Sequence, residues 1–208
     1  GSGGRIMVNA THASLLIQPV TTNHMNAVGG TNLCPSGDEK STAQAGAAGT
    51  KFLNLKGDSA ILAIDGAEQG LGEVTAVGGG KHSMGVHPHH VSSIYARYNS
   101  QVLIDREFVK LLRLKTMQLI RSQVSWTDDT STDPNNAIDL RVQDISLNGA
   151  AQLSASPMRI SCGTLSLVDR SAAIVSGKDS VSINATASMD ISGRVHSGEG
   201  VNLACKGR

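Results

Sequence analysis

Apolar residues spaced two apart recur along the last third of the chain. The pairs are Ile138/Leu140, Ile145/Leu147, Leu153/Ala155, Met158/Ile160, Leu165/Leu167, Ala173/Val175, Val181/Ile183, Met189/Ile191 and Val201/Leu203. A spacing of two is the strand period, and it puts both members of a pair on one face. From Leu165 onward the first members fall at 165, 173, 181 and 189, a strict step of eight. Turn formers lie between the pairs: Asn148-Gly149, Ser176-Gly177-Lys178-Asp179, Ser192-Gly193-Arg194 and Ser197-Gly198-Glu199-Gly200.

A unit of eight holds one short strand and one turn. Each buried Leu or Ile contributes roughly 1.5–3 kcal/mol, and each ordered residue costs on the order of 1–2 kcal/mol of backbone entropy. Two inward residues cannot hold such a unit alone, so the units must stack. Two architectures satisfy this. One chain can coil into a β-helix with about three strands per turn. Alternatively, three chains can wind round one axis as a triangular prism. The inward residues are few and of medium size, which favours the narrow trimeric prism. An antiparallel meander or sandwich of short strands is a third arrangement.

Upstream the pattern is weaker. Ser14–Ile17, stopped by Pro19, predicts a short strand. Phe52–Leu55 and Ala60–Ile64, bounded by Lys56-Gly57-Asp58 and Asp65-Gly66, predict a strand pair. Residues 26–49 and 70–85 are dense in glycine and small residues and predict irregular, extended chain. In residues 101–126 the apolar pairs Val102/Ile104, Leu112/Leu114, Met117/Leu119 and Val124/Trp126 favour strands over a helix, whose apolar stripe they do not form. The chain is therefore expected to be mainly β. An irregular Gly-rich β or docking region covers 1–100, connecting strands and a polar loop cover 101–137, and a repetitive β-helical or β-prism shaft covers 138–208. The core ladder is Leu165, Leu167, Val181, Ile183, Met189, Ile191, Val201 and Leu203.

Composition narrows the function. Among 208 residues, 18 are Lys or Arg and 17 are Asp or Glu, for a net charge of +1. Such a balance gives no strong field for nucleic acid or an anionic membrane. No apolar run is long enough for a transmembrane helix or a signal segment. The aromatics are Phe52, Tyr95, Tyr98, Phe108 and Trp126, few for a sugar-stacking cleft or a single-strand platform. Cys34, Cys162 and Cys205 form an odd set rather than a disulfide framework. Cys162 and Cys205 share the parity of their strands and are expected to point inward as small hydrophobes. The basic set Arg106, Lys110, Arg113, Lys115 and Arg121 reads as a solvated face.

No Gly-x-Ser-x-Gly, phosphate loop or His-Glu-x-x-His is present. Gly78-Gly79-Gly80-Lys81 is followed by His82, without the trailing Ser or Thr of a phosphate loop. An enzyme is not expected. His87-Pro88-His89, with His82 and His90 nearby, is the densest histidine cluster and a candidate site for a transition metal, iron or zinc.

The repeats Ser180-Val181-Ser182-Ile183-Asn184-Ala185 and Ser188-Met189-Asp190-Ile191-Ser192-Gly193 resemble the β-helical shafts of central spike proteins from contractile phage tails and related injection machines. They are also similar to the β-helix of sarcoglycans and to trimeric adhesin heads. The spike resemblance implies a homotrimer in contact with other structural proteins of a virion or extracellular assembly, acting mechanically. It also implies that a His-x-His pair such as His87/His89 from each of three chains would hold iron. The alternatives are an extracellular binding module, such as an adhesin or receptor-binding fibre, and a carbohydrate-active enzyme on a single-chain β-helix.

Overall fold

The computed structural model describes residues 5–10, 49–55, 60–66, 74–78, 91–106, 113–126, 137–177 and 179–207. The strands are β1 (Arg5–Ala10), β2 (Gly49–Leu55), β3 (Ala60–Asp65), β4 (Val74–Val77), β5 (Val91–Arg97), β6 (Gln101–Ile104), β7 (Leu114–Ile120) and β8 (Gln123–Trp126). They continue as β9 (Ile138–Asn148), β10 (Gln152–Ser154), β11 (Met158–Leu167), β12 (Ala173–Val175), β13 (Val181–Ile191), β14 (Arg194–His196) and β15 (Val201–Cys205).

From β3 onward the chain alternates between two sheets. Odd strands enter one sheet in the order β3-β5-β7-β9-β11-β13-β15, and even strands enter the other in the order β4-β6-β8-β10-β12-β14. Every neighbouring pair in these two runs is parallel. A chain that visits two sheets in turn, always in the same direction, is a coil: the protein is a β-solenoid. Only the upstream end departs, where β2 pairs antiparallel with β3 and parallel with β1.

The long strands are each two straight pieces joined at a bend. In β9 the buried positions are Ile138, Leu140 and Val142, then Ile145 and Leu147. In β11 they are Met158, Ile160 and Cys162, then Leu165 and Leu167. The inward parity switches at the bend, and the β11–β13 register shifts there between Cys162 and Thr164, a bulge. With the short strand, each turn thus has three sides. The step from Leu165 to Ala173, Val181 and Met189 follows these sides, and Leu165 returns to register with Met189 one turn later.

Of the two architectures expected, the coil closes within one chain. Ile138 pairs with Met158, Met158 with Val181 and Val181 with Val201, so no rung between them is left for a second chain. The interwound prism is thereby corrected for this segment. The ladder read over 138–208 is the downstream part of a coil whose parallel pairing already links β3 to β5 and β4 to β6. Residues 101–104 and 114–126 contain the strands expected there, with Val102, Ile104, Leu114, Met117, Leu119, Val124 and Trp126 buried.

One parity reading fails. Ile174 is fully buried while Ala173 and Val175 are half-buried, because the three-residue strand turns only its central residue inward. Ile174 stacks between Leu153 and Val195.

The corner before each short strand is also repeated. Asn99 and Arg121 adopt φ of 57° and 48°, and Gly149 adopts 61°. They stack: the Asn99 N–H donates to the Arg121 carbonyl at 2.6 Å, and the Arg121 N–H donates to the Asn148 carbonyl at 3.0 Å. The buried Ser100, Ser122, Ala151 and Ala172 follow in a column of small residues, each preceding a short strand. Asp169 locks the next corner. Its carboxylate accepts from the backbone N–H of Gly149 at 2.5 Å, of Ser171 at 2.8 Å and of Ala172 at 3.1 Å, and from the Ser171 hydroxyl. These donors, the Ser171 hydroxyl first, hold its pKa below the ordinary carboxylate value.

Candidate functional site

The bend of the long strands has a consequence on the outside of the coil. An open groove of about 400 Å³ runs across β7, β9, β11 and β13, lined by Arg113, Leu114, Arg141, Val142, Gln143, Ser161, Cys162, Asn184 and Thr186. Register explains this set. Leu114 pairs with Val142, Val142 with Cys162 and Cys162 with Ala185. The residues just before them, Arg113, Arg141, Ser161 and Asn184, therefore form one outward column crossing four rungs. Adjacent rungs lie about 4.8 Å apart, so the column is about 14 Å long.

The groove is graded along its length. Arg113 and Arg141 stand on neighbouring rungs at one end, and Ser161, Asn184 and Thr186 provide neutral polar groups towards the other. Arg141 is held by Asp139: Nη2 and Nε donate to Oδ2 at 2.8 and 3.2 Å. That uses two of five guanidinium N–H groups and leaves three to donate elsewhere. Arg113 makes no ion pair among the described residues. The side chains of Gln143, Ser161 and Asn184 make no hydrogen bond among them either. Thr186 Oγ1 donates to the Cys162 carbonyl at 3.3 Å, and Thr164 donates to Asp144 at 2.7 Å beside the bend.

Gly163 permits the bend. A Cβ there would sit 2.7 Å from the Gln143 carbonyl oxygen on the rung above. The Cys162 thiol turns inward, beneath the groove. Burial, with smaller contributions from Cys205 and Asp144, raises its pKa from 9.0 to about 11, so it stays protonated at neutral pH. The arrangement can bind a polar ligand with an anionic end; Cys162 is no nucleophile in it.

The ladder residues Leu165, Leu167, Val181 and Ile183 are in the core, and Met189 and Ile191 pack against it partly buried. Val201 and Leu203 hold the expected register with Val181 and Ile183, yet they are 43% and 45% exposed, because no described strand lies beyond β15. Cys205 is likewise exposed, whereas Cys162 is inward as expected. Arg113, Lys115 and Arg121 are exposed, but Arg106 is buried. His87, His89 and their neighbours His82 and His90 lie outside the described residues. Among the described residues no three His, Cys, Asp or Glu side chains come together as metal ligands.

The sequence reading missed the groove because its residues are 20 to 28 positions apart. The available signal was the repeated position immediately before Leu114, Val142, Cys162 and Ala185. No family model, curated protein or solved structure matches the chain.

Proposed function

We propose that the chain is a rigid shaft, part of a spike or fibre of a virion or injection machine, acting mechanically rather than catalytically. The observation that carries this reading is the unbroken parallel stack from β5 to β15, with one continuous apolar core inside it. Bending such a coil strains backbone ladders in both sheets at once. The single-chain coil also changes how load is shared. Tension applied to the two ends would peel one rung at a time, whereas compression or bending is resisted by all rungs together. A shaft of this build suits pushing.

Native-state hydrogen exchange tests the rigidity. The amides of β7, β9, β11 and β13 should open as one cooperative block; protection that fades rung by rung through them would overturn it. Co-sedimentation of the chain with assembled particles from its source tests the setting, and a chain found only in free form would retire it. The coil closes its own core, so a homotrimer would be three coils side by side. Light scattering at three times 21.6 kDa would support that bundle, and a mass of 21.6 kDa would remove it.

A further inference from the structure

We propose that the groove at the bend binds an acidic oligosaccharide lengthwise, with a uronate-type carboxylate on Arg113 and Arg141 and sugar hydroxyls on Gln143, Ser161 and Asn184. This adds a binding function to the shaft and does not depend on its setting.

The charge argument comes first. Two guanidinium groups on adjacent rungs, one already oriented by Asp139, offer paired N–H donors to a carboxylate. The hydroxyl argument follows. Ser and the side-chain amides of Asn and Gln both donate and accept, as sugar hydroxyls do. The aliphatic stems of Arg113 and Arg141, both exposed, supply carbon surface for the C–H faces of a sugar ring in place of an aromatic stack.

Other polymers fit less well. An extended acidic peptide could not add a strand here, because β7, β9, β11 and β13 are each paired on both sides. Nucleic acid would want a longer basic track for its phosphates, and only Arg113 and Arg141 of the lining are basic.

The test is titration calorimetry on the full chain at low ionic strength with a linear tetramer of galacturonic acid. The fully methyl-esterified tetramer keeps the sugar and removes the charge, and tetraglutamate keeps the charge and removes the sugar. The acidic tetramer should bind at least about tenfold more tightly than either. Arg113→Gln and Arg141→Gln should each weaken it about tenfold. Asn184→Leu should weaken it by a smaller factor, and Arg194→Gln, away from the groove, should leave it unchanged. All four positions are exposed, so the fold is retained, and circular dichroism confirms that for each variant. No heat with the acidic tetramer, equal affinity for tetraglutamate, or equal loss in Arg194→Gln would each overturn the proposal.

Discussion

Strands β11 and β15 open with the same grammar. Met158-Arg159-Ile160-Ser161-Cys162 and Val201-Asn202-Leu203-Ala204-Cys205 both place a large apolar residue at the first and third positions and a cysteine at the fifth. Their environments are opposite. Met158, Ile160 and Cys162 are 1%, 1% and 5% exposed, while all five residues of β15 are exposed. The difference lies in neighbours. β11 is hydrogen-bonded to β9 and β13, and β15 to β13 alone. In a coil, alternation decides which way a side chain points, but stacking decides whether it is buried. Stability is therefore a property of the pair of rungs rather than of the strand.

The largest expected effect breaks the inner rungs. Ile183→Asp places an unpaired charge at a site 1% exposed and should cost more than about 4 kcal/mol in urea unfolding. The adjacent outward change Ser182→Asp should be tolerated, and so should Leu203→Asp in β15. Equal tolerance at 182 and 183 would refute the parity. Next comes truncation. Ile160→Ala should lose about 2–5 kcal/mol, and Leu203→Ala less than about 1 kcal/mol because its side chain is already half in water; similar losses at both would erase the contrast.

A smaller effect compares two glycines. A Cβ at Gly193 would overlap the Ala172 carbonyl oxygen, whereas one at Gly200 meets nothing within 4 Å. Gly193→Ala should lower thermal stability by about 1–3 kcal/mol, and Gly200→Ala should leave the melting temperature in place.

The smallest separates the two cysteines. In a Cys34→Ser background, iodoacetamide at pH 8 should label exposed Cys205 and spare Cys162. The folded state holds the Cys162 proton to about pH 11, while the unfolded thiol releases it near 9.0. Above pH 9 the unfolded state gains from ionisation, so stability should fall between pH 9 and 11. Cys162→Ala should flatten that fall.

Much of the coil was legible. The eight-residue step at 165, 173, 181 and 189 is the three-sided turn itself. Ala173/Val175 misled because both residues flanking Ile174 are apolar, so period two gave no direction. The upstream turns were hidden by uneven spacing. Ser93 meets Thr116 after 23 residues, but Thr116 meets Asp144 after 28, and a fixed period does not survive such insertions. The corner motif has its own mark in the sequence: Ser100-Gln101-Val102, Ser122-Gln123-Val124 and Ala151-Gln152-Leu153 enter successive short strands. The groove was harder to find: the three-residue steps from Val142 to Ile145 and from Cys162 to Leu165 mark the bend, but alternation alone does not say which outward residues line a groove.

The register also makes the coil a ruler. Ile138, Met158, Val181 and Val201 succeed one another after 20, 23 and 20 residues, and each turn adds about 4.8 Å of height. One residue thus contributes about 0.2 Å of length, against about 3.3 Å in an extended strand. Removing residues 158–180 as a block would bring Val181 into register with Ile138 and shorten the rod by one rung, whereas removing a few residues within a strand would turn its inward face outward. Length in this molecule comes in whole turns.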